Sequence, residues 1–324
     1  MAKAIRFETC GGPEVLAWQD VDVAAPKEGE LLIRHTAIGL NFIDTYHRTG
    51  LYPLPLPATP GLEGVGVVEA VGDGVEDFKL GDRVGYPAGP MGTYAEMRTI
   101  PAAKVVKIPN SVSDEDAAAL LLKGCTVEAF VERLYPVKAG ETVLLHAAAG
   151  GLGLIASQWL SALGATVIGT VGSEEKAALA RENGCAHTIL YREENFVERV
   201  KDITNGEGVP VVYDSVGKAT FMGSLDCLKR RGMMVTFGNA TGPVDPVPPG
   251  LLAQKGSLML TRPVLMDYVA TRDELVQSTT RVFEMIASGN LKAQINQRFA
   301  LKDATEAHKA LEARKTSGQT ILIP

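Results

Sequence analysis

The chain has 324 residues, of which 46% are hydrophobic and 22% charged, values typical of a globular protein with room for two domain cores. Its formal net charge of −6 disfavours nucleic acid as a main partner, because a polyanion is repelled on average. The four cysteines are far apart and form no CxxC pair, which argues against a disulfide framework or a zinc knuckle and favours buried free thiols in a reducing cytosol.

The N-terminal residues, MAKAIRFETCGG, contain no apolar signal-peptide core, so the protein is predicted to be cytoplasmic. The segment from Thr142 to Ser173 lacks Asp, Glu, Lys and Arg, but six glycines divide it into short pieces. Such pieces are typical of strands, turns and helices inside a sheet protein rather than of a membrane span. We therefore expect no membrane partner.

Residues 1–122 consist of short β-like runs separated by Gly and Pro, such as AIRFET, GELLIRHTAIGLN and AKVVKIP. This spacing predicts a compact, mostly antiparallel domain with irregular loops. A helix is predicted from Ser113 to Leu122, because Ser113 is a suitable N-cap and acidic residues follow it in the first turn.

Apolar runs then alternate with amphipathic helical segments, two of which extend from Glu174 to Asn183 and from Asn195 to Thr204. The predicted strands are TVLLHA (142–147), ATVIGTV (165–171), HTILY (187–191), VPVVYDSV (209–216), GMMVTFG (232–238) and SLMLTR (257–262). Strands alternating with helices predict βαβ units and a parallel sheet covered on both faces.

A segment rich in Pro and Gly, 240–256, interrupts this alternation. The tail from Thr271 predicts a long helix, the strand QINQRFA, a second helix from about Lys302 to Arg314 and a final TILIP strand. Such a tail can return to the first domain. We therefore predict a substrate domain formed by 1–122 and 265–324 and a nucleotide-binding domain formed by 123–264.

The clearest motif is a glycine-rich turn, AAGGLG, at 148–153 between a predicted strand and a predicted helix. It matches the dinucleotide-binding pattern G-x-G-x-x-G with alanine at the first glycine. Gly150 would let the backbone approach a pyrophosphate, and Gly153 would permit close packing of helix and strand. With the helix N-terminus, Gly150, Gly151 and Leu152 are predicted to bind a dinucleotide, although a tight turn without a ligand is the alternative.

The end of the second predicted strand favours NADPH over NADH, because no acid occupies it. The small Gly172-Ser173 pair leaves room for a 2′-phosphate, and Lys176 lies one turn into the next helix. Tyr191-Arg192 could add an aromatic wall and a second cation. In the competing interpretation Lys176 and Arg192 are surface charges, and Glu174 binds the ribose.

Over essentially its whole length the chain resembles the medium-chain dehydrogenase/reductase superfamily, and within it the zinc-free quinone oxidoreductase branch that includes zeta-crystallin. The resemblance is carried by GGPEVL (11–16), GLNFIDTYHRTGLYP (39–53), GLEGVGVVEAVGDGV (61–75), GDRV (81–84), HAAAGGLGLIA (146–156), VYDSVG (212–217) and TRP (261–263). It implies an α/β fold: a Rossmann-type doubly wound parallel sheet plus a mostly β, GroES-like substrate domain.

The superfamily's alcohol dehydrogenases hold a catalytic zinc with an early Cys and a G-H-E type motif. At the matching places this chain has Asn41 and Gly61-Leu62-Glu63-Gly64, so we expect no metal. Without that Lewis acid an ordinary ketone is hard to polarise, whereas a quinone is already strongly electrophilic. The resemblance thus implies a quinone reductase.

The same resemblance implies a set of site residues, none of them assigned as a catalytic acid or base. Asn41 and Tyr46 are expected nearest the nicotinamide, and Tyr52 and Arg262 on the acceptor side. The other expected cofactor contacts are Thr126, Val216, Phe237, Gly238, Ala240 and Arg314. His146 is expected to be a hydrogen-bonded core histidine, and Asp214 to shape the cofactor pocket.

Two other functions compete with quinone reduction. The first is the NADPH-dependent reduction of the C=C bond of α,β-unsaturated carbonyls, with Tyr46 or Tyr52 as proton donor. The second is a non-enzymatic RNA-binding or lens-crystallin-like role, which the acidic net charge disfavours.

A homodimer is predicted from the last apolar run of the nucleotide domain. Ser257 to Arg262 would form a sheet edge whose only charge is Arg262, and such an edge invites pairing with a second chain. A monomer whose edge is covered by residues 240–250 is the alternative.

Overall fold

A computed structural model describes the chain from Ala2 to Pro324. Its strands are β1 Ala2–Arg6, β2 Ala17–Val21, β3 Glu30–Gly39, β4 Gly64–Val71, β5 Arg83–Tyr86, β6 Met97–Pro101, β7 Val106–Lys107, β8 Thr142–Leu145, β9 Thr166–Val171, β10 Cys185–Leu190, β11 Val209–Asp214, β12 Leu228–Thr236, β13 Met259–Thr261, β14 Ile295–Ala300 and β15 Gln319–Ile323. Its α-helices are α1 Phe42–Thr49, α2 Asp114–Glu128, α3 Gly151–Ala162, α4 Glu174–Glu182, α5 Phe196–Ile203, α6 Phe221–Cys227, α7 Pro249–Gln254, α8 Leu265–Tyr268, α9 Arg272–Ala287 and α10 Ala304–Glu312.

These elements form two compact units. The discontinuous unit comprises the chain up to Cys125 together with Val269–Pro324, and the central unit comprises Thr126–Tyr268. No helix in the described residues is long and apolar enough to cross a membrane.

The discontinuous unit is built on a sheet with the order β14-β15-β3-β4-β5-β7, and β6 also pairs with β3. All of its pairs are antiparallel except β14 with β15, which confirms the predicted, mostly antiparallel domain. Because β15 pairs with β3, the C-terminal tail contributes two strands to this sheet. Inward-facing apolar side chains such as Leu31, Ile33 and Val68 form its core.

Two helices of the discontinuous unit differ from the prediction. Helix α1 was not predicted. At its start, the Asp44 side chain accepts the backbone N–H of Asn41. Gly50 follows its last residue and has a φ of 81°, a conformation that favours glycine. Helix α2 was predicted to end at Leu122 but runs on to Glu128. The helix continues through Gly124. Gly124 packs closely on Val282, and a Cβ at this position would make a tight contact with the Val282 side chain.

The central unit contains six strands in the order β10-β9-β8-β11-β12-β13, all parallel. Numbered within the unit, this order is 3-2-1-4-5-6, that of a Rossmann sheet. The predicted doubly wound parallel sheet is therefore confirmed. The strand order reverses between β8 and β11, and ligands of such sheets bind at the carboxyl ends of the strands beside that point.

Candidate functional site

The turn between β8 and α3 has the geometry that its glycines predict. Ala147 has a φ of 54°, and α3 starts at once, with the Leu154 N–H donating to the Gly150 carbonyl at 3.0 Å. A Cβ at Gly153 would lie 2.2 Å from the Ala147 oxygen, so any side chain there would force helix and strand apart. Glycine is therefore required at this position.

The same turn fits a dinucleotide pyrophosphate. A Cβ at Gly150 would meet only the Ala147 oxygen, at 3.2 Å, so the backbone there is open to an approaching group. The first turn of a helix directs N–H groups outwards and carries a partial positive charge. Gly151 and Leu152, the first residues of α3, are half-buried on this turn.

Four predicted contacts of a 2′-phosphate lie together at the end of β9. Ser173 caps α4 and accepts the backbone N–H of Lys176 at 3.4 Å. A Cβ on Gly172 would stand 2.8 Å from the Tyr191 hydroxyl, so these two residues touch. The arrangement combines a small residue pair, a lysine and an exposed aromatic ring.

Glu174, the alternative ribose ligand, is committed elsewhere. Its carboxylate forms an ion pair with Arg181 at 2.7 Å, about two turns further along α4. This contact directs the acid along the helix surface, which favours the interpretation that leaves the end of β9 free of negative charge.

A buried hydrogen-bonded chain crosses the carboxyl ends of β9, β8 and β11. Thr170 Oγ1 lies 2.9 Å from His146 Nδ1, and His146 Nε2 lies 2.9 Å from Ser224 Oγ. Ser224 in turn donates to Asp214 Oδ2 at 3.0 Å. Ser224 Oγ also lies 2.9 Å from the Thr220 carbonyl, and both that carbonyl and the Asp214 carboxylate can only accept from it. The assignment that satisfies every group therefore has His146 Nε2 donating to Ser224 and Nδ1 accepting from Thr170.

His146 is thus confirmed as a hydrogen-bonded core histidine, and burial lowers its pKa. The other oxygen of Asp214 accepts the backbone N–H groups of Val216 at 2.8 Å and Gly217 at 3.1 Å. The buried chain therefore fixes the loop after β11, on which Val216 lies.

The loop after β12 packs directly on the loop after β11. A Cβ on Gly238 would lie 2.0 Å from the Ser215 oxygen, so only glycine fits between them. The Phe237 ring packs edge-on against Phe130, with ring centroids 5.2 Å apart. Arg262 donates to the Gly238 carbonyl at 3.1 Å, which places a cation beside this loop.

The remaining predicted contacts of the central unit and the tail are more scattered. Ala240 follows Phe237 and Gly238 and is half-buried. Thr126 is buried on α2, and Arg314 is exposed just after α10, with a φ of 57°.

In the discontinuous unit, α1 carries two of the predicted residues, Asn41 and Tyr46. Asn41 caps the helix, and Tyr46 follows just over one turn later. The Tyr46 ring packs edge-on against Tyr52, with centroids 5.4 Å apart, and the Tyr52 N–H donates to the Tyr46 carbonyl at 3.1 Å. Tyr46 and Tyr52 therefore form an aromatic pair, and Asn41 lies at the N-terminus of the helix that carries Tyr46.

Two residues that sequence reasoning did not assign to the site lie beside Asn41: Glu63 contacts its amide, and Lys123 contacts Glu63. Asn41 Nδ2 donates to Glu63 Oε2 at 2.9 Å, and Lys123 Nζ lies 3.6 Å from the same oxygen. The Leu122 N–H donates to Glu63 Oε1 at 2.5 Å. Burial raises the pKa of Glu63, and Lys123 and the donated hydrogen bonds oppose that rise. The available signal was a lone acid in the apolar run GLEGVGVV.

A second buried network ties α1 to α10. Arg48 donates to His308 Nδ1 at 3.1 Å and to Glu312, and His308 Nε2 lies 3.2 Å from the Tyr94 hydroxyl. Tyr94 donates to Asp44 Oδ2 at 2.9 Å. Burial raises the pKa of Asp44 to about 7, and burial with the neighbouring Arg48 lowers the pKa of His308 to about 3.

The residues at the places of the superfamily's zinc ligands do not form a zinc site. Leu62 is buried and apolar, and Asn41 offers an amide. Within the described residues no cluster of three or more His, Cys, Asp and Glu is placed to hold a metal ion. This donor set does not fit zinc.

Comparison with known proteins agrees with this geometry. Residues 27–110 match the family model of the alcohol dehydrogenase GroES-like domain, and residues 151–277 match that of zinc-binding dehydrogenases. A quinone oxidoreductase of Pseudomonas aeruginosa is 51% identical over the full length of both chains. A 2-haloacrylate reductase of a Burkholderia species is 45% identical over 100% of this chain and 99% of its own.

Among solved structures, the quinone oxidoreductase of Escherichia coli complexed with NADPH superposes with a TM-score of 0.98 at 50% identity, covering 99% of this chain and all of the other. The chain therefore belongs to the quinone oxidoreductase family of the medium-chain dehydrogenase/reductase superfamily.

Proposed function

We propose that the protein is a cytoplasmic, zinc-independent reductase that transfers hydride from NADPH to a quinone. The observation that carries the proposal is the glycine turn at the switch point of a 3-2-1-4-5-6 sheet, next to an acid-free strand end with Lys176 and Tyr191. Relatives named quinone oxidoreductase at about half identity, one of them solved with NADPH, support it.

The chain's own residues bind and orient the dinucleotide. The turn at Gly150, Gly151 and Leu152 holds the pyrophosphate, and Gly172, Ser173, Lys176 and Tyr191 surround the 2′-phosphate. Val216, Phe237, Gly238 and Ala240 flank the nicotinamide half, and Asp214 keeps the first of these loops in place. The remaining proposed cofactor contacts are Thr126, Arg314, Asn41 and Tyr46. When bound, NADPH supplies the hydride, and the protein supplies position.

The proposed hydride acceptor, a quinone, follows from the missing zinc ligands as well as from the residues that are present. Asn41 and Leu62 stand where zinc ligands would, so the donor set supplies no Lewis acid to polarise a simple ketone. A quinone needs none, because its ring becomes aromatic on reduction. Tyr52 and Arg262 are proposed as acceptor-side residues, and the discontinuous unit as the substrate domain.

Reduction of α,β-unsaturated carbonyls is a second candidate, favoured by the 45% identity to a 2-haloacrylate reductase. The Tyr46–Tyr52 pair offers a phenolic proton donor for such a reaction. An RNA-binding or crystallin-like role has no comparable support. The cysteines, three buried and one exposed, are all free, as suits a reducing compartment.

We further propose that two chains associate through β13, an edge strand with Met259 exposed.

The decisive experiment follows NADPH oxidation by purified protein against a panel of quinones and enones, with NADH as the control cofactor. Turnover of several quinones with NADPH, at kcat/KM well above that for any enone, is expected. Turnover of enones alone would select the second candidate. Absence of NADPH binding would refute both.

A further inference from the structure

We propose that Glu63 and Lys123 are positioning residues that fix the side-chain amide of Asn41, so that Asn41 accepts a hydrogen bond from NADPH instead of donating one to the substrate. The inference rests on the proposed use of NADPH. It deepens that function by assigning the direction of one contact and two residues that control it.

Asn41 has already committed both of its donor hydrogens. Its Nδ2 donates to Glu63 Oε2 at 2.9 Å and to the Gly39 carbonyl at 3.4 Å. Its Oδ1 faces the backbone N–H of Asp44 in the capping box at the start of α1, and this carbonyl oxygen has a second lone pair for another donor. Since an asparagine amide has two N–H donors and one carbonyl acceptor, any further partner of this side chain must be a donor.

The charge on Glu63 decides which way the amide faces. Its carboxylate receives the Leu122 N–H on one oxygen, and on the other it faces both the Asn41 amide and the Lys123 ammonium. Burial raises the pKa of this carboxyl, whereas the Lys123 charge and the hydrogen bonds from Asn41 and Leu122 favour its ionised, accepting form. A flipped Asn41 would press its carbonyl oxygen against that carboxylate, which is repulsive in a buried site.

The surrounding fold is shaped to hold this arrangement. A Cβ on Gly39 would lie 2.1 Å from Glu63 Oε2 and 2.4 Å from the Ala118 oxygen, so only glycine lets the carboxylate reach this position. Glu63 has no exposed surface, and the Lys123 side chain is 8% exposed. Lys123 Nζ makes no hydrogen bond to the described residues at 3.6 Å from its partner, so it acts on Glu63 mainly through its charge.

This polarity restricts what Asn41 can recognise. The oxidised ring of a quinone offers only carbonyl acceptors, so Asn41 gains no hydrogen bond from it and cannot stabilise negative charge on its oxygen. The nicotinamide half of NADPH offers two kinds of neutral donor, the carboxamide N–H and the hydroxyls of its ribose. Asn41 therefore serves cofactor orientation.

The test exchanges the amide and the carboxylate between positions 41 and 63. Asn41→Asp places two carboxylates face to face and should weaken NADPH about tenfold or more, measured by the fluorescence of the bound cofactor. In the double variant Asn41→Asp with Glu63→Gln, the amide donor is at position 63 and the carboxylate at position 41. Position 41 therefore still offers an oxygen acceptor. The double variant should return to within about threefold of the wild type.

Two outcomes would overturn the proposal. The first is a double variant as weak as Asn41→Asp, because an aspartate cannot donate and the lost function would then be donation. The second is an Asn41→Ala variant with full NADPH affinity, a measurement that stands even where Asn41→Asp does not fold. A wild-type protein that binds no NADPH would instead refute the proposed function.

One further variant tests Lys123, and one cofactor analogue tests the identity of the donor. Lys123→Met should weaken NADPH, and its effect should vanish in the Asn41→Ala background, whereas additive effects would remove Lys123 from the mechanism. Reduced 3-acetylpyridine adenine dinucleotide phosphate lacks the carboxamide N–H. If the wild type prefers NADPH over this analogue and Asn41→Ala abolishes that preference, the carboxamide is the donor. If the wild type binds NADPH and the analogue equally, a ribose hydroxyl is the donor.

Discussion

A methyl group built on Gly172 would stand 2.8 Å from the hydroxyl oxygen of Tyr191. The end of β9 and the residue that follows β10 are therefore in direct contact, although 19 positions separate them in the sequence. Gly172 is small because the Tyr191 ring covers it, and the ring itself is 42% exposed. This pair forms the aromatic wall of the proposed 2′-phosphate site.

Gly172→Ala should weaken NADPH binding by about 1 kcal/mol, roughly fivefold in Kd, because the new methyl group pushes the ring outwards. Adding Tyr191→Phe removes the oxygen that the methyl group meets and should recover most of the loss. Gly250→Ala is the matched control, since nothing lies within 4 Å of a Cβ at that glycine. If Gly172→Ala binds NADPH as tightly as the wild type in a cofactor titration, the Gly172–Tyr191 pair is not part of the cofactor site.

Lys176→Ala should weaken NADPH by about 1–3 kcal/mol and leave NADH nearly unchanged, because only NADPH carries the phosphate that an ammonium would pair with. Lys201→Ala, which removes an exposed lysine from α5 in the same unit, is the control. Kd for both cofactors checks the difference. Equal losses for NADPH and NADH, or a wild-type preference for NADH, would be incompatible with the assignment.

Asp44 should make the protein less stable as the pH rises. Its pKa is raised by burial from 3.8 to about 7, so the folded state holds the proton more tightly than the unfolded state. The contribution to stability is full below about pH 4 and is lost as the pH rises through 7; at most it amounts to about 4 kcal/mol. Asp44→Asn should therefore raise the midpoint of thermal unfolding relative to wild type at pH 8 far more than at pH 4.

The contribution of His308 to the pH dependence of stability has the opposite sign to that of Asp44, so the two contributions must be measured separately. Its pKa is lowered to about 3, so its contribution is present above pH 6.5 and is lost as the pH falls towards 3. His308→Gln should flatten the acid limb of the stability profile, and Asp44→Asn the limb near neutrality. Identical pH profiles for wild type and Asp44→Asn would show that Asp44 does not titrate between the two states.

The sequence predicts most of the central unit and less of the discontinuous unit, for physical reasons. Parallel strands buried on both faces are continuous apolar runs, so β8 to β12 can be recognised, as can the turn at Gly150. Helix α1 lies in a segment rich in β-branched and aromatic residues, and its start depends on a side chain of Asp44 that propensity does not reveal.

The contacts of Glu63 with Asn41 and Lys123 join three distant parts of the chain and carry no periodic signal. Their one hint is chemical: a buried acid directly before an apolar strand needs a partner. The sequence marks Glu63 as part of a motif that lacks zinc ligands, and only the fold shows what the acid does instead.

Chelation should leave activity intact. Asn41 and Leu62 cannot replace a thiolate and an imidazole, so the site has no three-ligand set for zinc. After exhaustive dialysis against a chelator, kcat/KM for a quinone should stay within about twofold of the untreated enzyme. Elemental analysis that finds one tightly held zinc per chain, lost together with activity, would contradict this.

Strand β13 should form the centre of a homodimer. In the described residues it has a neighbouring strand on one side only, and Met259 at its start is 46% exposed. An edge with unpaired backbone groups and little charge pairs readily with an identical edge across a two-fold axis. Light scattering of the wild type should therefore give about twice the chain mass of 34.4 kDa.

Two substitutions at Met259 test whether this edge is the interface. Met259→Pro cannot donate to a ladder between chains, and Met259→Lys places like charges on either side of the axis, so both should shift the mass towards that of one chain. Met259→Ala keeps the backbone donor and adds no charge, so it should remain a dimer. Using two disruptive variants matters, because proline can also disturb the pairing of β13 with β12 inside the subunit. A wild-type monomer at micromolar concentration, or a Met259→Lys variant that stays fully dimeric, would place the interface elsewhere or remove it.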